Sequence, residues 1–192
     1  VHTVCCYPEA PGWIEAQTKA IRAELNKAGD QPVRVLFSAH GVPEKVITAR
    51  GDPYQAQVEA GCAAVAQAAG LTDWSICYQS RVGPMKWLGP STPEAIEQAA
   101  SDGVGVLVVP IAFVSEHIET LVELDIEYAH LAEELGVSPY LRAQTPGTDR
   151  SFIGALADAV RAARRGAAIQ PFGPGCGGDF SACPCQNRRR VA

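Results

Sequence analysis

Between residues 115 and 127 the chain reads SEHIETLVELDIE, with acidic side chains recurring at helical spacing. Wound as an α-helix, Glu116, Glu119, Glu123 and Glu127 share one face, at a cost of roughly 0.2–0.5 kcal/mol for each like-charged pair. Carboxylates so crowded hold protons more readily and gain from a divalent cation that relieves their repulsion. With His117 among them, the stripe suits proton transfer or a metal such as Fe, Zn or Ni more than Ca. The same stripe also reads as a plain solvated face. Its spacing is not the His-Glu-x-x-His of a hydrolytic zinc site. Asp125 falls instead in the apolar arc of Ile118, Leu121, Val122 and Ala129, where a buried, paired carboxylate is expected.

Two further stretches carry chemistry. In LFSAHGVP, His40 sits where an apolar run ends, with Gly41 allowing a sharp backbone path and Pro43 stopping extension. Imidazole is the side chain best suited to take a proton near neutral pH. In YQSRVGPMKWLGP, the polar Gln79 and Ser80 are followed by Met85 and Trp87 among turn residues. Thioether and indole groups suit the wall of a pocket for a large, flat, apolar ligand, or ordinary packing under a loop.

The elements that must position these residues alternate. Strand patterns at 33–38, 75–80, 104–113 and, more weakly, 139–144 lie between helical patterns near 12–28, 53–69, 92–101, 116–135 and 149–165. Asp52-Pro53 and Ser91-Thr92-Pro93-Glu94 are helix starts, and Gly29, Gly70 and Gly136 are stops. This order predicts an α/β fold, a doubly wound, mostly parallel sheet of about four strands with helices on both faces. Ligands of such sheets bind beyond the carboxyl ends of the strands, which is where His40, Gln79, Ser80 and the acidic stripe all fall.

With 192 residues, 47% hydrophobic, the chain suffices for one domain plus an appendage. A net charge of -5 excludes nucleic-acid binding through a basic surface. No run reaches the ~18–20 apolar residues of a membrane span and no export signal is evident, so a cytoplasmic location is expected. Seven cysteines without such a signal point to thiols or metal ligands rather than disulfides. From about residue 166 the composition turns to Gly, Pro and Cys. Cys176, Cys183 and Cys185 there make three of the four thiols that an iron–sulfur or zinc site needs, while Cys62 and Cys77 read as core. GPGCGG at 173–178 neither follows a strand nor opens a helix and is set aside as a dinucleotide motif.

LFSAHGVP, ARGDPY, QSRVGPMKWLGP and PIAFVSEHIETLVELDIEYAHLAEELGV, in that order, resemble the ferrochelatase family, whose members insert ferrous iron into porphyrin to make haem. The resemblance covers about residues 30–160 and the family's C-terminal half. It implies one of two Rossmann-like lobes: an entry helix at 1–30 leading from a first lobe outside the chain, the chelatase lobe at 31–166, and a cysteine-rich tail at 167–192. It further implies His40 as the active-site histidine, Glu119 as the metal-site glutamate, and His117 and Glu123 on an acidic, partly π-helical path for protons or metal. Glu116 joins that relay, and Met85 and Trp87, with Gln79 and Ser80, contact porphyrin. Asp158 matches an aspartate sometimes given a catalytic role, although its regular amphipathic helix favours a structural one. Fe(II) and porphyrin are the implied substrates. Some members hold a [2Fe-2S] cluster on a cysteine-rich extension, with Cys176, Cys183 and Cys185 the corresponding thiols here, and a location peripheral to the inner membrane is consistent with the family. Protoporphyrin is favoured over coproporphyrin; a cobalt or nickel chelatase and a non-catalytic tetrapyrrole-binding module are the alternatives.

Overall fold

The computed structural model describes residues 4, 6–164, 180, 181 and 183. Its strands are β1 (Val33–His40), β2 (Trp74–Gln79), β3 (Gly105–Pro110) and β4 (Tyr140–Arg142), all parallel in the order β2-β1-β3-β4. Helices α1 (Pro11–Ala28), α2 (Glu44–Thr48), α3 (Tyr54–Ala69), α4 (Thr92–Asp102), α5 (Tyr128–Glu134) and α6 (Arg150–Arg164) flank it, and a π-helical segment, Glu119–Glu127, leads directly into α5. The expected α/β sheet is present with its four strands, and α2 is an added turn of helix that no periodicity signalled.

Alternation along β1 divides the core. Val35, Phe37 and Ala39 join Leu107 and Val109 beneath α1, α3 and α6, against Trp13, Ile21, Val65 and Phe152. Leu36 turns the other way, with Cys77, Val106 and Val108, onto Ile96, Ala99, Leu124 and Ala132 of α4, the π segment and α5. Cys62 and Cys77 are both fully buried, as core thiols, and burial pushes the Cys77 thiol up to about 12. The entry helix α1 belongs to the same packed core. No helix among the described residues is long and apolar enough to cross a membrane.

The ends of the elements follow local chemistry. The Asp52 carboxylate accepts from the Tyr54 amide at 2.9 Å, and Ser91 with Glu94 closes a reciprocal capping box on α4. Gly70 ends α3 in the left-handed region. β3 stops at Pro110, where the ladder loses a donor, so residues 111–113 are not strand as expected and instead carry the chain over the sheet edge.

The acidic segment departs from an α-helical wheel. Leu124 and Thr120 are its buried residues, whereas the apolar arc faces outward, with Ile118 68% and Ile126 62% exposed. The expectation that Asp125 is buried within that arc does not hold: it is paired but exposed. The segment turns Thr120 and Leu124 to the sheet, and the branched side chains are left on the outer face.

Strand order places the site. From β1 the chain crosses to β2 on one side, and from β3 to β4 on the other, so the neighbouring carboxyl ends of β1 and β3 form the switch point where a crevice opens. The Ser91→Ala variant, without the cap on α4, is expected to lose about 1 kcal/mol of stability in urea unfolding; an unchanged midpoint would show that α4 does not depend on it.

Candidate active site

His40 is the last residue of β1 and is held from three directions. Tyr54 donates its hydroxyl to the His40 carbonyl at 2.9 Å. The ring Nδ1 lies 2.9 Å from the Gly41 carbonyl oxygen, and Nε2 lies 3.1 Å from Glu119 Oε2. A carbonyl can only accept, so Nδ1 carries the hydrogen and, in the neutral ring, Nε2 presents a bare lone pair. That lone pair faces a carboxylate oxygen, also an acceptor. The contact is favourable with one proton between the two atoms, or with one cation in its place. Gly41 lets the chain leaving β1 pass close to β2, since a Cβ there would stand 2.7 Å from the Gln79 carbonyl oxygen.

Glu123 is anchored through a single oxygen. Its Oε2 accepts from Gln79 Nε2 at 3.1 Å, the Ser80 amide at 3.1 Å and the Ser80 hydroxyl at 2.9 Å, with the Tyr128 hydroxyl at 3.5 Å. Ser80 aims both its donors there by adopting φ 57°, the left-handed region, at a cost of about 1 kcal/mol for a residue with a Cβ. All four of these donors gather on Oε2, which leaves Oε1 as the open oxygen.

Gln79, expected to touch substrate, is fully buried. Its Nε2 also donates to the Glu119 carbonyl at 3.0 Å. Its Oε1 accepts from Ser38 at 2.9 Å, and Ser38 lies 2.8 Å from the Thr92 hydroxyl. Because the Glu119 carbonyl and the Glu123 carboxylate can only accept, Nε2 must face them and the amide cannot flip. A buried polar chain running from the start of α4 thus orients the donor that holds both glutamates.

The rest of the stripe divides by partner. Glu116 takes Arg142 Nη1 at 3.1 Å on each oxygen, the Thr145 amide at 3.0 Å and the Thr120 hydroxyl at 2.9 Å. Burial raises its carboxyl, but these hydrogen bonds and the guanidinium outweigh that and hold it below the ordinary value of 4.5. Glu116 is therefore a fixed counter-ion rather than the relay group expected. Asp125 pairs with the same Arg142 through Nε and, at 3.0 Å, Nη2. His117 is exposed, its ring stacked on Phe113 with centroids 6.2 Å apart and its Nδ1 3.4 Å from the Glu119 amide. Phe113 also faces the His40 ring at 6.2 Å. Glu127 is exposed, and Asp158 pairs with Arg161 on the outside of α6, away from the site.

The 81–90 loop is tied to the His40 loop by the Glu44 amide on the Lys86 carbonyl at 2.9 Å and the Leu88 amide on the Val42 carbonyl at 3.0 Å. Met85 is 45% exposed, while Trp87 packs toward Gly41 with its indole nitrogen buried and unpartnered. A cavity of about 370 Å³ lies beside them, lined by Tyr78, Ser80, Arg81, Met85, Trp87 and Tyr128 among others. Cys176 and Cys185 lie outside the described residues. Cys183 is buried, near the point where Ser181 donates to the Arg50 carbonyl at 3.0 Å. Cys183 is the one tail thiol among the described residues. Among the described residues no three His, Cys, Asp or Glu side chains gather as a metal cage.

A family model described as Ferrochelatase matches residues 1–164. Curated relatives named Ferrochelatase from Phenylobacterium zucineum and Caulobacter vibrioides are 56% and 55% identical over 188 and 189 residues, covering 96% of this chain and 54% of theirs. One from Pelagibacter ubique is 41% identical over 191 residues, 97% of this chain and 55% of that protein. The chain spans about half the length of the curated relatives it matches. Among solved structures, SirB from Bacillus subtilis with Fe3+ overlays with a TM-score of 0.50 at 16% identity, over 83% of this chain and 58% of that one, a likeness of fold.

Gln79→Leu leaves Ser38 and the Glu123 oxygen short of a partner, and is expected to destabilise the chain by about 2 kcal/mol in urea unfolding. Folding lowers the Glu116 carboxyl, so its contribution is complete above the unfolded value near 4.5 and is lost as pH falls through the depressed folded value. Stability measured against pH should therefore be flatter below pH 5 in Glu116→Gln than in the parent chain, by roughly the part that this one carboxyl contributes.

Proposed function

The chain belongs to the ferrochelatase family, and we propose that it forms the metal-side lobe of an enzyme that inserts Fe(II) into protoporphyrin IX. The observation that carries this reading is the His40–Glu119 pair at 3.1 Å, with the imidazole Nδ1 committed to Gly41 and Nε2 left as a lone pair. Metallation converts a porphyrin with two pyrrole N–H groups and Fe(II) into the iron porphyrin and two protons. The enzyme must therefore remove two protons from the ring centre while presenting a dication whose waters can leave.

His40 Nε2 is the acceptor for pyrrole protons, since it is the basic atom left with a free lone pair at the gap. Glu119 opposes it and receives the incoming metal or the proton that His40 gives up. From there Glu123, through Oε1, and the exposed His117 carry protons to solvent. Among the described residues two side chains, His40 and Glu119, face the metal position, a weak seat. Weak binding suits an ion that is cargo and must move on into the ring. Met85, at the lip of the loop, supplies an apolar contact for the macrocycle, and Trp87 stiffens the wall behind it. Part of the binding energy of such contacts offsets the bending that exposes the pyrrole protons.

The opposite wall of the cleft belongs to a first lobe outside this chain, a reading supported by the outward Ile118, Leu121, Val122 and Ile126, since an exposed apolar patch marks a surface that another element covers. The enzyme works in the cytoplasm or peripheral to the inner membrane.

In the enzyme assembled with its first lobe, His40→Ala should slow metal insertion by at least about 100-fold, the general-base share, while porphyrin binding followed by Soret absorption stays within severalfold. Glu119→Gln should lose activity comparably, and Glu127→Gln should stay within about twofold, as expected of a solvated charge. Near-parental turnover of His40→Ala would sink the assignment.

A further inference from the structure

A π-helical stretch of nine residues in the middle of the site needs something to hold it. Its ladder closes five residues apart, as from the Tyr128 amide to the Glu123 carbonyl, and such wide turns are rare beside the α-helix they could become. Rewinding to a four-residue ladder would rotate every later side chain about the axis. Glu119, Glu123 and Asp125 could not then all keep their present partners.

Arg142 is placed to forbid that rotation. It stands at the end of β4, 13% exposed, and its three guanidinium nitrogens are all engaged. Nη1 reaches both oxygens of Glu116, before the π segment, while Nε and Nη2 form a parallel pair with Asp125 inside it. Glu116 also binds the Thr120 hydroxyl and the Thr145 amide, which ties the segment's first turn to the chain beyond β4. A planar, permanently charged fork can satisfy two carboxylates from fixed directions; a lysine ammonium cannot hold both with the same geometry.

We propose that Arg142 is a positioning residue that fixes the π register and, through it, the seat between Glu119 and His40. It touches neither substrate nor metal. The proposal rests on the reading of that pair as a metal and proton seat, and its test separates the two.

The 192-residue chain is titrated with Co(II), and backbone amide exchange is followed in parallel. In Arg142→Leu, amides of residues 119–128 should exchange at least about tenfold faster, while those of β1 and β3 keep their protection. Co(II) affinity should fall about as far as in Glu119→Gln, and Arg142→Lys should lie between parent and Leu on both measures. Ile21→Val, destabilised in the core beneath α1, should change neither, which separates positioning from general loss of stability. If Arg142→Leu does not fold, Asp125→Asn removes one arm of the fork and should give the same pattern in smaller measure. Unchanged exchange in residues 119–128 overturns the proposal, as does unchanged Co(II) affinity in Arg142→Leu. A parent chain that binds no Co(II), or binds it equally well as His40→Ala, overturns the metal-seat reading instead, and the exchange measurement then still decides whether Arg142 sets the register.

Discussion

Two acceptors face each other across 3.1 Å at the carboxyl end of β1, and neither can relieve the other without a third body. The unoccupied lone pair of His40 and the carboxylate of Glu119 repel unless a proton or a cation sits between them. Keeping them there is work done by the rest of the lobe. Tyr54 fixes the His40 backbone through its carbonyl, and the Gly41 carbonyl holds the ring at Nδ1. Gln79, locked by Ser38 and Thr92, grips the Glu119 carbonyl and the Glu123 carboxylate together. The site is best described as a gap held open at a set width, with its charges supplied by one helix and its rigidity by the sheet.

The polar chain beneath the site also explains the cost taken at Ser80. A left-handed serine is unfavourable, yet it lets one residue present both its amide and its hydroxyl to the same oxygen. A glycine would relieve the backbone and lose the hydroxyl. Keeping serine means that the hydrogen bonds to a charged group, about 1.5–3 kcal/mol each, outweigh about 1 kcal/mol of backbone strain.

What the sequence made legible was whatever is set by neighbours along the chain. β1 to β3, the cap at Ser91 and the glycine stops follow from periodicity and turn chemistry, and His40 could be singled out because Gly41 and Pro43 mark a strand end. The direction of Gln79 was not legible, because it depends on the pairing of His40 with Gln79 in adjacent strands and on a serine 41 residues away. Phe113 was hidden inside an apolar run that reads as strand until Pro110 ends it. Arg142 lay in a weak strand pattern, and its partners stand 17 and 26 residues back. The π winding was legible only through family resemblance, since the same residues fit an α-helical wheel, and the wheel buries the arc that in fact faces out.

That outward arc bears on how the seat can both hold and release a cation. Were the acidic segment an ordinary amphipathic helix, its branched residues would pack on the sheet and its carboxylates would be hydrated on the far side, independent of one another. Here Thr120 and Leu124 take the packing role, and Glu119 and Glu123 are delivered to the switch point of the sheet. His40 and Glu119 belong to different elements and remain 42% and 31% exposed, so water can reach the gap between them. A third His, Cys or carboxylate would lengthen the residence of a metal, each tenfold requiring only about 1.4 kcal/mol. On the proposed reading, a two-ligand gap shaped by Arg142 rather than closed by more donors would keep an ion exchangeable, as delivery into a macrocycle demands.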